Sequence, residues 1–176
     1  NSSYNLRVDE CKAAAYELKG LANMEYGKFN DTRLRDVPRE IFEEYKSYLP
    51  VNWYRRALHF YDENERVMLG VQAWKDGDLD KFGKLIFESG YSSIYNYETG
   101  SEELRALYEI MTNTDGIYGG RFSGAGFKGF CMALIDPEKE EAIKENITQE
   151  YLNRFPLLKD RFSIHICEIS NGVELK

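Results

Sequence analysis

Nine consecutive residues constrain this chain more than any others: Arg121-Phe-Ser-Gly124-Ala-Gly126-Phe-Lys-Gly129. Gly124, Gly126 and Gly129 satisfy the pattern G-x-G-x-x-G. In a dinucleotide site that pattern follows a strand and opens a helix, whose N-terminus holds the pyrophosphate. The flanks exclude such an arrangement. After Gly129 comes Phe-Cys-Met-Ala-Leu-Ile135, an apolar run closed by Asp136-Pro137, and its length and boundaries read as a buried strand. Upstream, Gly116-Ile-Tyr-Gly-Gly-Arg-Phe122 also reads as extended chain. The sequence predicts strand, glycine loop, strand. Lacking Cβ atoms, such a loop lets a second backbone approach closely.

The residues before this hairpin read as helical. Residues 7–19 carry Cys11, Ala14, Ala15 and Leu18 at helical spacing. Pro38 opens a second segment, with Ile41, Phe42, Tyr45 and Tyr48 on one side. The longest helix is expected over 52–75, with Ala57, Tyr61, Met68 and Val71 along one face and Phe60, Val67 and Trp74 beside them. Gly77-Asp78 ends it and starts the next, where Leu79, Phe82 and Ile86 recur. Thr99-Gly-Ser-Glu102 resembles a capping box ahead of Leu104, Leu107, Tyr108 and Met111. After the hairpin, Asp136-Pro137 caps a helix bearing Ile143, Ile147 and Tyr151. Phe162-Ser-Ile-His-Ile166 alternates as a half-buried strand does, and Asn171-Gly172 signals a hairpin into Val173. A few strands covered by helices make a two-layer α+β sandwich, mainly helical over 1–112 and α/β over 113–176.

At 176 residues with a formal net charge of −7 and 30% charged residues, the chain has no block of Lys and Arg and no run of apolar residues long enough for a membrane span. Neither nucleic acid nor a membrane is expected as a partner. Cys11, Cys131 and Cys167 are odd in number and widely spaced, so they read as reduced, mostly buried thiols of a cytoplasmic protein. His59 and His165 have no second His or Cys at ligand spacing, and no metal site is expected. The start at Asn1, without an initiator Met or a signal peptide, points to a piece of something longer.

Ser123-Gly-Ala-Gly-Phe-Lys-Gly129, preceded by Gly-Ile-Tyr-Gly-Gly-Arg, resembles the third, glycine-rich motif of the GHMP kinases in their sugar-kinase branch. Tyr4-Asn-Leu-Arg-Val-Asp-Glu-Cys11, Glu63-Asn-Glu-Arg-Val67, Asp78-Leu-Asp-Lys-Phe-Gly-Lys-Leu85 and Asn96-Tyr-Glu-Thr-Gly-Ser-Glu-Glu-Leu104 match that family in the same order. Gly124-Ala125-Gly126 in place of three glycines is closer to galacturonokinases than to ordinary galactokinases. The resemblance implies the C-terminal domain of an ATP-dependent sugar 1-kinase, a small ferredoxin-like antiparallel sheet packed with helices. The N-terminal half would supply the serine-rich triphosphate loop, the catalytic Asp and Arg, and the Mg²⁺ ligands. No match to the serine-rich loop or the Asp motif occurs here, so no catalytic residue is expected in the chain, which would be inactive alone and hold neither ATP nor Mg²⁺.

By the same resemblance Tyr4 contacts the sugar in the intact enzyme, although it is also one of 13 tyrosines. Ser123, Gly124, Ala125, Gly126, Phe127 and Gly129 would pack beside the phosphate loop; the plainer reading is a tight turn. Lys128 and Arg121 could bring positive charge to phosphate or to a uronate carboxylate, or be ordinary solvated cations. The alternative function is a non-catalytic, galactokinase-like sugar sensor that signals through a protein partner. A free-standing regulatory module is a third reading, and it predicts no exposed apolar face. A kinase half predicts such a face where the N-terminal domain docks, and a non-native dimer through that face.

Overall fold

The computed structural model describes residues 3–168. Helix α1 (Ser3–Leu21), the short α2 (Arg39–Tyr45) and the long α3 (Val51–Lys75) come first. Helices α4 (Leu79–Tyr95) and α5 (Glu102–Thr112) follow, then strands β1 (Ile117–Phe122) and β2 (Cys131–Ile135), and helix α6 (Glu140–Arg154). Short 3-10 turns fill the joints at 29–31, 34–36, 46–48, 137–139 and 156–161. The helices and the small antiparallel sheet are the α+β arrangement expected from the sequence.

One dipeptide stops α3 and starts α4. Gly77 adopts φ +70°, and its N–H donates to Trp74 O at 3.2 Å while that of Asp78 donates to Ala73 O at 2.9 Å. This pair satisfies carbonyls that the helix end leaves unbonded. The Asp78 carboxylate then accepts from Lys81 N at 3.0 Å, capping α4. The cap of α5 differs from expectation. Ser101 accepts from Leu104 N, whereas the Thr99 hydroxyl turns back to Ser93 O at 2.9 Å. Gly100, at φ +94°, reverses the chain between them, so Thr99 lies two residues too early to cap.

Two apolar cores form. The first joins Ala14, Ala15 and Leu18 of α1 to Leu34, Val37, Phe42, Leu49, Ala57 and Tyr61. The second joins Ile94, Leu104, Tyr108, Ile110, Met111 and Phe122 to Ile143, Ile147 and Tyr151 of α6. Helix α3 belongs to the first core only through its N-terminal half. Beyond it, the small residues Gly70 and Ala73 are buried, with the Phe82 ring of α4 about 3.6 Å from where a Cβ on Gly70 would stand. The large residues Val67, Met68, Val71 and Trp74 face outward, Met68 being 67% exposed. The expected face through Met68 and Val71 is thus wrong: small side chains set the helix contact there. Tyr48, also expected inside, is exposed on its 3-10 turn.

Strands β1 and β2 pair antiparallel, from Phe122 opposite Cys131 to Ile117 opposite Ile135, with an irregularity between Ile117 and Gly119. Residues 162–168 are not the strand their alternation suggests. Phe162 and Ile164 do turn toward the second core, with Phe162 stacked on Tyr151 at 4.7 Å. Alternating burial survives only over 162–165, Ile166 being exposed, and no ladder partner runs beside these residues among those described. Cys167 is exposed rather than buried, and Cys11 and Cys131 are half-buried. The expected hairpin at Asn171-Gly172 lies outside the described residues. None of the described helices is long and apolar enough to cross a membrane.

Candidate functional site

The glycine loop closes the β1–β2 hairpin, as the sequence predicts. Ser123 N donates to Phe130 O at 2.9 Å across its base. Gly124, Gly126 and Gly129 have φ of +71°, +76° and +128°, in the region that favours glycine. Their surroundings differ. A Cβ on Gly126 would stand 2.5 Å from the Phe122 ring and 2.9 Å from Gly100 N, whereas nothing lies within 4 Å of one on Gly124. Gly126 is buried, while Gly124, Ala125, Phe127, Lys128 and Gly129 are exposed and Ser123 is half-buried. The loop is therefore anchored through Gly126 and bare at Gly124-Ala125.

The anchor is the connector between α4 and α5, residues 96–101. Ser101 N donates to Gly126 O at 2.7 Å, and Arg105 Nε holds Gly100 O at 2.9 Å. At its other end the connector meets the Tyr4 helix. Tyr4 lies in the first turn or so of α1 and is 47% exposed. One turn on, Arg7 reaches the Glu98 carbonyl and carboxylate, each at 3.4 Å. Burial pushes the Tyr97 hydroxyl well above its ordinary range, with Cys11 and Tyr4 adding to the rise. The structure thus brings Tyr4 and the glycine loop to opposite ends of one connector.

Beneath the connector lies a polar seam that sequence reasoning missed. Arg56 of α3 is fully buried. Its Nε donates to Glu10 Oε2 at 2.6 Å and its two terminal nitrogens to Asn96 O at 2.5 Å and Glu98 Oε2 at 2.7 Å. The Arg56 guanidinium, ahead of other influences, holds the Glu98 carboxyl below its ordinary value. The available signal was a charged residue beside Ala57 on a helix face otherwise turned inward. Arg121 is no free cation at a strand end: it pairs with Glu63 at 3.3 Å and bonds Ser89 and Ser93 of α4. Lys128 remains an exposed cation on the loop.

His59 also belongs to this seam. Its Nδ1 lies 3.0 Å from Ser92 Oγ and its ring 4.7 Å from that of Tyr97. Burial pushes its pKa down to about 4, Glu63 opposing and Arg66, Arg121 and Arg56 assisting, so the ring is neutral near pH 7. His165 is exposed. Among the described residues no three His, Cys, Asp or Glu side chains are grouped as a metal site. Two clefts flank the connector. One, of about 610 Å³, is lined by Arg7, Arg55, Tyr95, Glu98 and Arg105. The other, of about 380 Å³, is lined by Cys11, His59, Phe60, Val67 and Tyr97.

Comparison with known proteins agrees with this geometry. The family profile "GHMP kinases C terminal" matches residues 71–153. The chain is 40% identical over 179 residues to an Arabidopsis thaliana galacturonokinase, covering 99% of this chain and 42% of that protein. It is 34% identical over 177 residues to a galactokinase of Ligilactobacillus salivarius, covering 99% of this chain and 43% of the relative. The crystal structure of Lactococcus lactis galactokinase complexed with galactose superposes with a TM-score of 0.75 at 27% identity, over 89% of this chain and 39% of that one. This chain therefore spans less than half the length of the relatives it matches. It belongs to the GHMP kinases, in the branch of the galacturonokinases and galactokinases, and carries that family's C-terminal domain.

Proposed function

We propose that this chain is the C-terminal part of an ATP-dependent sugar 1-kinase that phosphorylates the anomeric hydroxyl of galacturonate or galactose. The observation that carries this reading is the loop at 123–130, fixed from below at Gly126 and left without side-chain cover at Gly124-Ala125. A bare glycine apex suits a neighbouring main chain and its bound phosphates. Galacturonate is the first choice of sugar, because the plant galacturonokinase is 40% identical and the bacterial galactokinase 34%.

Phosphoryl transfer depends on positioning and on neutralising phosphate charge. In this reading ATP, its Mg²⁺ and the catalytic groups are held by the N-terminal half. The present chain supplies Tyr4 against the sugar and the loop of Ser123, Gly124, Ala125, Gly126, Phe127 and Gly129 against the phosphates. Tyr offers a flat apolar face and a hydroxyl, both suited to a pyranose. The exposed stripe of Val67, Met68, Val71 and Trp74 is the surface offered to that half. By itself the chain would pair non-natively through that stripe and transfer no phosphate.

The test is an assay of the full-length protein with ATP and either sugar, beside the 176-residue chain alone. Phosphorylation of galacturonate or galactose by the full protein, and none by the part, is expected. A full-length protein inert toward both sugars refutes the reading, and turnover by the part alone refutes the division of labour. In the full protein, Gly124→Ala, at the bare apex, should lower kcat far more than the folded fraction. Equal losses in both favour a plain turn.

A further inference from the structure

We propose that Arg56 is a positioning residue for phosphoryl transfer, coupling the Tyr4 helix to the glycine loop through Glu98. The proposal rests on the kinase reading above. It starts from where the guanidinium is aimed. Arg56 is 0% exposed, and its three partners lie on α1 (Glu10), at the C-terminal cap of α4 (Asn96) and in the connector (Glu98). Glu98 is also the connector's most constrained residue. It adopts φ +54°, rare for a residue with a side chain. Its carboxylate is shared by Arg56 at 2.7 Å, Arg55 at 3.0 Å and Arg7 at 3.4 Å.

Two residues further on, Gly100 turns the chain, and Ser101 N grips Gly126 O. A continuous line of short contacts thus runs from α1 through Arg56 and Glu98 to the loop. Burying a guanidinium among carboxylates is a poor way to gain stability, since an apolar side chain of similar volume commonly does as well. What the planar fork adds is direction. It fixes three acceptors at once, one on α1 and two in the connector, which a Lys ammonium cannot do in one plane. Arg56 exposes no atom with which to reach a substrate, and acts through Glu98 on where the loop stands.

The experiment uses the full-length kinase with Glu98→Gln and Arg56→Lys. Glu98 is partly exposed and belongs to neither apolar core, so its neutral isostere leaves the cores intact. Loss of the charge-assisted grip should lower kcat about tenfold in either variant, move KM for sugar and ATP less than about twofold, and speed hydrogen exchange at the Ser101 amide about tenfold. A purely structural residue would change the melting midpoint and leave Ser101 exchange and the kcat-to-KM split alone. If Arg56→Lys does not fold, Glu98→Gln decides. A Glu98→Gln enzyme with unmodified Ser101 exchange, or with kcat within twofold of the unmodified enzyme, overturns the proposal. Failure of the underlying reading looks different: the unmodified protein then phosphorylates no sugar, while Ser101 exchange still answers whether Arg56 and Glu98 hold the loop.

Discussion

In the first core, α1 and α3 meet through Ala14, Ala15 and Ala57, all fully buried, with the Phe42 ring stacked on Tyr61 at 4.9 Å. On the other side, α4 meets β1 at Gly83 and Gly119 with no side chain between them. A Cβ on Gly83 would stand 2.1 Å from Tyr118 O, and one on Gly119 would stand 2.2 Å from Gly83 O. The first contact is made of side-chain volume and can absorb small changes by repacking. The second is two main chains at van der Waals distance and can absorb none. The difference follows what each region carries. Nothing in the first core must be placed to a fraction of an ångström, whereas β1 leads directly into the glycine loop.

The sharpest way to break that comparison is Gly83→Val. Because backbone rather than the tip of a side chain stands in the way, the loss should exceed about 4 kcal/mol, beyond the usual range of overpacking. Circular dichroism should record no cooperative melt near the unmodified midpoint. A cooperative protein that loses less than about 2 kcal/mol would mean that helix and strand slide apart freely, and the contrast between the cores would collapse.

The same contrast explains what the sequence made legible. Period and punctuation located every described α-helix, the hairpin and its loop, because Pro38, Gly77-Asp78 and Asp136-Pro137 act locally. Which way α3 faces past Tyr61 was not local. Val67, Val71 and Trp74 have the spacing of a buried stripe, yet Gly70 and Ala73 make the contact, because a neighbour that packs at close range selects small residues. Residues 162–166 have the alternation of a strand without its ladder, since hydrogen-bond partners belong to another segment of chain. In the candidate site the loop was readable from its glycines together with the extended flanks on either side. Arg56 and Glu98 were not, because a buried charge is identified only by the partners that surround it.

The seam between the cores gives a second, smaller test. The half-buried His59 ring takes up a proton only near pH 4, against about 6.5 for an ordinary His. Between those values the unfolded chain binds the proton and the folded chain does not, so stability falls as pH drops from 6.5 toward 4 and is flat above. The slope should approach, at most, about 1.4 kcal/mol per pH unit. Carboxylates with lowered pKa, Glu98 and Glu103 among them, lose their contribution only as pH falls below their ordinary 4.5. His59→Gln should therefore flatten urea-denaturation stability between pH 6.5 and 5 while leaving the decline below 4.5. An unchanged slope would move the titrating group out of the seam.

The smallest effect separates two glycines of the same hand. Gly124 and Gly126 both have positive φ, at +71° and +76°, so any side chain there carries the left-handed penalty. Only Gly126 is also crowded, by Phe122 and the Gly100 amide. Gly124→Ala should consequently lose about 1 kcal/mol and shift the melting midpoint by a few degrees, with the loop otherwise in place. A loss as large as that of Gly126→Ala would mean that crowding does not distinguish them, and that the hairpin is held by its turn geometry alone. The open space at Gly124 also has a kinetic reading. On the proposed kinase reading, if the full-length protein with Gly124→Ala keeps its midpoint to within those few degrees and yet loses most of its turnover, the space above the loop must be filled in the working state by main chain or phosphate, since the described residues leave nothing there for a methyl group to strike.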